Sequence, residues 1–117
     1  MATMKATTYT AADRLLGSRS EVEVGNNTTA ERSGDEIVVR LHGHAIIRLL
    51  ADDTVCVRDC GYVTTTTYDR LNRFAPAGWR LRRTGGGGYA EALRGARMVV
   101  HGDRWLRLES GGYGYPE

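Results

Sequence analysis

At 117 residues the chain has room for one domain and not for two independent cores. With 41% hydrophobic and 26% charged residues it has an ordinary globular composition, and no apolar run approaches the roughly 20 residues that span a bilayer. A net charge of +2 is too small to imply a nucleic-acid partner, and two cysteines do not make a disulfide framework. Residues 1–8 lack the apolar core of a signal peptide, so a cytoplasmic location is expected. The basic residues are lopsided, with Lys5 the only lysine among sixteen. A GC-rich genome accounts for this bias; anion binding by guanidinium forks is the functional alternative.

The first twenty residues read as an arm, with a capping-box-like Thr10-Ala11-Ala12-Asp13, apolar Leu15 and Leu16, and Gly17 as a stop. Strand patterns follow at 21–24, 28–32, 36–42, 45–50 and 54–58, separated by glycine-, asparagine- and aspartate-rich turns. In 36–42 the alternation sets Ile37, Val39 and Leu41 on one face and Val38, Arg40 and His42 on the other. Thr64–Thr67 then lead into a helix at 68–75 that Pro76 stops, with Thr66 and Asp69 at capping-box spacing. Strands resume at 79–83, 97–101 and 105–109; Gly85–Gly88 reads as a flexible hairpin tip and Gly102-Asp103 as a hairpin signal. The chain thus divides into an N-terminal arm with a short helix (1–20), a single β-rich domain (21–109) and a glycine- and tyrosine-rich tail without pattern (110–117).

Cys56 and Cys60, with His42, His44 and His101, have the residue types of a zinc site but not the spacing, so no metal or cofactor is expected. Gly85–Gly88 lacks the lysine and hydroxyl residue of a phosphate loop. Arg80 and Arg82 alternate with Trp79, Leu81 and Arg83, which reads as a solvated sheet face or as a basic stripe for nucleic acid. The strongest constellation is the threonine run entering a helix that carries Arg70 and Asn72. Helix N-termini offer unpaired N–H groups and partial positive charge, a seat for anions. Simple capping, with Arg70 and Asn72 bracing the helix to the strand turns, is the structural alternative. The Arg40-Leu41-His42-Gly43-His44 corner supplies a second polar wall.

The strings Gly25-Asn26-Asn27-Thr28, Val39-Arg40-Leu41-His42-Gly43-His44-Ala45-Ile46 and Gly61-Tyr62-Val63-Thr64-Thr65-Thr66-Thr67-Tyr68-Asp69-Arg70-Leu71-Asn72 resemble a small family encoded by bacteriophages and prophages, many in actinobacterial hosts. The resemblance covers residues 25–75 and departs at His44, Tyr62 and Tyr68, where the family pattern has threonine, tryptophan and often lysine. It implies a phage setting and a site region rather than a reaction.

The expected fold is α+β: a small antiparallel β-meander or open barrel with one main helix, about 67–75, packed on it. The expected function is that of a non-enzymatic phage accessory protein binding a small anionic ligand such as a nucleotide signal of host defence, and sequestering it. Arg40, His42, His44, Thr66, Thr67, Arg70 and Asn72 are the expected ligand-binding residues, with no catalytic set. The alternative is a factor binding nucleic acid or a host protein. Evenly mixed charge along the sequence predicts only weak, sequence-independent nucleic-acid binding. The arm and the exposed aromatics are compatible with a homo-oligomer, and no membrane partner is expected.

Overall fold

The computed structural model describes residues 9–117. The fold is α+β, and its strands form two antiparallel sheets. After helix α1 (Tyr9–Leu16), strands β1 (Glu21–Gly25), β2 (Thr28–Ser33), β3 (Glu36–Leu41), β4 (His44–Leu49) and β5 (Val55–Val57) run as the predicted meander. The chain then leaves the sheet for helix α2 (Thr65–Phe74) and a three-stranded sheet of β6 (Trp79–Thr84), β7 (Gly87–Ala92) and β8 (Arg97–Val100). It returns as β9 (Leu106–Glu109) and β10 (Tyr113–Pro116), giving a larger sheet of order β1-β2-β3-β4-β5-β9-β10 that is open rather than closed into a barrel.

Period-two alternation sets the core. Ile37, Val39 and Leu41 of β3 face inward as predicted, in register with Ala30 of β2 and Ile47 and Leu49 of β4, and all are buried. Val55, Val57, Leu106 and Leu108 extend this face. Burial of each large aliphatic side chain contributes about 1.5–3 kcal/mol. Helix α2 covers the face with Tyr68, Leu71 and Phe74, one helical stripe. It is not the only cover: Ala12 and Leu16 of α1 and Trp79, Leu81, Ala90 and Val100 of the small sheet join the same core.

The turn residues explain the tight connections. The β3–β4 loop is only His42-Gly43, both at positive φ (51° and 82°), the requirement of a two-residue hairpin turn whose twist matches the strands. His42 therefore sits in the turn and not at the end of β3. Just beyond it a β-bulge separates the Val39–Ile47 and Arg40–Ala45 pairs. The extra residue, Ile46, enters the core beside Ile47, and the bulge re-aims His44 to the inner side, opposite Leu41.

Four local expectations are corrected. Gly102-Asp103 forms no hairpin, because β8 and β9 belong to different sheets; instead the Cys60 N–H donates to the Gly102 carbonyl at 2.7 Å, clasping the two ends of the excursion. Tyr113–Pro116 of the tail is a strand paired with β9, where Gly114 lies so close to Trp79 and Met98 that a side chain would collide. Only Gly85-Gly86 form the tip of the glycine-rich hairpin, since Gly87 and Gly88 pair with Thr84 and Arg83. Thr10 lies inside helix α1 rather than at its cap, and Asp13 pairs with Arg32 at 2.6 Å.

The outer face of the large sheet is tied by charge. Arg48 makes a two-pronged pair with Glu36 (2.8 and 2.7 Å) and reaches Glu117 at 3.1 Å. Arg58 stacks on Trp105, 4.1 Å from the ring centroid. The Arg48 hydrogen bonds hold the Glu36 carboxyl below its ordinary value of 4.5, against the opposing effect of burial. A depressed carboxylate stabilises the fold above that ordinary value and loses its contribution as pH falls through the folded one. Urea midpoints measured from pH 6 down to pH 3 are therefore expected to fall less steeply in Glu36→Gln than in the parent protein.

Gly88 permits the closest packing in the molecule, since any Cβ there would overlap the Tyr68 hydroxyl. Gly88→Ala is expected to destabilise by about 1–3 kcal/mol in urea unfolding. Gly86→Ala, at the open hairpin tip, is expected to stay within about 0.5 kcal/mol.

Candidate functional site

Helix α2 starts one residue after Thr64, which is extended (φ −118°, ψ 162°) and accepts a hydrogen bond from the Thr67 N–H at 3.1 Å. Thr64, not Thr66, is thus the cap, and Asp69 pairs with Arg70 and Arg73 instead of closing a capping box. The amides of Thr65 and Thr66 come before the first helical bond, from the Tyr68 N–H to the Thr64 carbonyl, and the Thr66 hydroxyl makes no hydrogen bond among the described residues.

Thr66, together with Thr64 and Thr67, borders a cavity of about 370 Å³ between the helix start, the β3–β4 turn and the loop after β5; Thr65 faces β6 instead, where its hydroxyl accepts from Arg83 at 2.8 Å. Leu41 and Ile46 give it an apolar floor; His42, His44 and Tyr62 form one wall, and Thr64, Thr66 and Thr67 the other. The His44 and Tyr62 rings are 5.0 Å apart and tilted by 40°. Asp59, only 2% exposed, closes the base. Its Oδ1 accepts from the Gly61 N–H and its Oδ2 from the Tyr68 hydroxyl, both at 2.8 Å. Each carboxylate oxygen keeps capacity for a second donor. Burial first, and then the Asp59 carboxylate, push the Tyr68 phenol well above its usual range, so it remains protonated and donates.

Four of the seven sequence-predicted residues, His42, His44, Thr66 and Thr67, meet at this cavity. Arg40, Arg70 and Asn72 do not line it. Arg40 pairs with Glu31 at 2.6 Å on the opposite face of the sheet and donates to the Gly43 carbonyl. Arg70 donates to the Thr28 hydroxyl at 3.0 Å and lies over Gly25, locking the helix to the β1–β2 hairpin. Asn72 accepts from the Leu81 N–H at 2.8 Å and donates to the Leu81 carbonyl at 2.9 Å. Its amide thereby does for β6 what a neighbouring strand would do and protects that sheet edge. The structural alternative weighed for Arg70 and Asn72 is what the geometry shows. The site keeps its amides and hydroxyls without a guanidinium.

Sequence reasoning missed Asp59, Tyr62 and Thr64 as cavity residues. Asp59 read as ordinary turn chemistry, and nothing local distinguishes a turn aspartate from a buried one. The paired Ile46-Ile47, which breaks the alternation, was the available signal for the bulge. As for the thiols, Cys56 is buried and donates to Glu117 at 2.8 Å, and Cys60 donates to the Ala45 carbonyl at 3.3 Å. Among the described residues no three His, Cys, Asp or Glu side chains are grouped to hold a metal ion. No helix among them is long and apolar enough to cross a membrane.

The fold and cavity describe a small α+β protein with a mostly apolar cavity, edged by histidine and threonine side chains, at a helix start. A family model described as Kyanoviridae Gp96 protein matches residues 5–84, and the chain belongs to this family of phage proteins. No curated protein and no solved structure matches the chain.

The roles assigned to Asn72 and Thr66 separate in a stability measurement. Asn72→Ala, which leaves the Leu81 backbone groups without their partner, is expected to cost about 1–2 kcal/mol in urea unfolding. Thr66→Ala is expected to stay within about 0.5 kcal/mol of the parent.

Proposed function

We propose that this phage protein is a non-enzymatic accessory factor that binds a small anionic ligand, a mononucleotide or nucleotide signal, at the cavity at the start of α2. The observation that carries the reading is the meeting of His42, His44, Thr66 and Thr67 around one cavity of about 370 Å³, a size within the range of small-ligand sites. The Thr66 amide and hydroxyl at the start of α2 suit a phosphate. The His44–Tyr62 wall suits a planar ring, and the spare acceptor capacity of Asp59 suits donor groups on a base or ribose. No histidine is hydrogen-bonded to a threonine hydroxyl among the described residues, which favours binding over nucleophilic chemistry. In an infected cell such binding serves to sequester a nucleotide signal of host defence, in the host cytoplasm. The arginine-rich composition fits a high-GC, actinobacterial host.

Titration of isotopically labelled protein with adenosine monophosphate, and separately with inorganic phosphate, tests the reading by amide NMR. The expected result is saturable shifts at His42, His44, Tyr62, Thr66 and Thr67 with the nucleotide. His44→Ala is expected to weaken nucleotide binding about tenfold, the scale of one lost base stack, while phosphate shifts at Thr66 and Thr67 persist. Absence of shifts at these amides up to millimolar nucleotide, or unchanged nucleotide binding in His44→Ala, overturns it.

A further inference from the structure

The open face of the small sheet has a different chemistry from the cavity. Strand register places Arg80, Glu91 and Arg97 in one cross-strand row and Arg82, Tyr89 and Val99 in the next, all pointing away from the core. Glu91 is the only acid in these rows, shared by Arg82 at 3.0 Å and Arg97 at 3.2 Å. Arg80 is exposed and has no ion pair or hydrogen bond among the described residues. The guanidinium of Arg97 lies 5.1 Å from the centroid of the Tyr89 ring, at the middle of the face. From Trp79 to Arg104 the sequence carries six arginines against two acids, a local excess of four positive charges in a protein of net +2.

We propose that this face is a docking surface for single-stranded nucleic acid, with Tyr89 as the stacking platform and Arg80, Arg82 and Arg97 as the phosphate contacts. Charge complementarity selects a polyanion, because the two rows carry Arg80, Arg82 and Arg97 against the single carboxylate of Glu91, while Arg83 lies on the other face of β6 and Arg94 and Arg104 lie outside the strands. The central aromatic selects an unpaired strand over a duplex: a free base can take the place of the Arg97 guanidinium on the half-buried Tyr89 ring, whereas the bases of a duplex are already stacked. Sheet geometry supports this, since same-face side chains two residues apart along a strand are separated by about 7 Å, close enough for one strand of nucleic acid to touch both rows. The surface is independent of the cavity at the start of α2, and its occupant is a chain rather than a mononucleotide.

Fluorescence anisotropy with a labelled oligothymidylate of about twelve nucleotides, within the footprint of small single-strand modules, tests the proposal. Three phosphate contacts predict a slope of log affinity against log salt of about −2. Arg80→Ala is expected to lower affinity several-fold and, being an exposed and unpaired side chain, to leave the fold intact. Tyr89→Leu is expected to lower it roughly tenfold, the loss of one stacked base. Arg14→Ala, which removes the same charge from α1, is expected to leave affinity unchanged. A hairpin duplex of equal charge is expected to compete poorly. No saturable binding at low salt, equal losses in Arg80→Ala and Arg14→Ala, or duplex binding as tight as single-strand binding overturns the proposal. So does displacement by excess adenosine monophosphate with affinity retained in Arg80→Ala, which moves the strand to the helix cavity.

Discussion

The buried contact between Asp59 and Tyr68 is the constraint on which the rest of the arrangement depends. Asp59 ends the meander, Tyr68 belongs to the first half of α2, and Gly88 of β7 provides the flat backbone against which the phenol lies. The hydrogen bond at 2.8 Å ties the helix to the end of the meander, and the packing of the same phenol on Gly88 brings the small sheet against both. A buried carboxylate without donors carries a large desolvation cost, so the Gly61 amide and the phenol are both required. The same pair sets the start of α2 beside the β3–β4 turn. The cavity is thus a by-product of satisfying Asp59, and its acceptor chemistry comes from the residue that holds the fold together.

The meander was legible because its signals are local. Alternating apolar residues in β3 and turn residues between strands each specify their element within a few positions. What failed were features defined by partners distant in sequence. Strand β10 contains two tyrosines, a glycine and a proline and has no alternation of its own; it is a strand because β9 pairs with it and Gly114 packs on Trp79. Strand β7 opens with two glycines, poor strand formers that are kept where Tyr68 needs the space at Gly88. Gly102-Asp103 has hairpin composition, yet the chain at that point crosses back to the Cys60 turn and pairs there.

The site was legible in the same uneven way. A threonine run before a helix and a glycine after a histidine are backbone statements, and the backbone placed both at the cavity. Side-chain direction was not readable. Arg70 and Asn72 flank Leu71 of the buried stripe on its two sides, so one side chain reaches the β1–β2 hairpin and the other β6, and neither meets the cavity. Asparagine is a weak helix former, so its place within α2 needs a compensating contact. That contact is with the edge of β6. Similarly, His44 faces the cavity only because the bulge at Ile46 reverses the parity of β4 near its start.

The arginine bias resolves into two populations once the sheets are in place. On the outer face of the large sheet each guanidinium meets a carboxylate or an indole: Arg40 with Glu31, Arg48 with Glu36 and Glu117, Arg107 with Asp52, Arg58 over Trp105. Individual pairs of this kind contribute about 0–1 kcal/mol when exposed, and networks more. Their effect on the surface is to cancel its field. The small sheet carries a comparable density of arginine with a single carboxylate between its rows. A genome-wide preference for arginine over lysine explains why guanidinium is used on both faces, but it does not act on aspartate and glutamate. The difference between the two faces lies in where the acids are, and that is a property of the fold rather than of the codons.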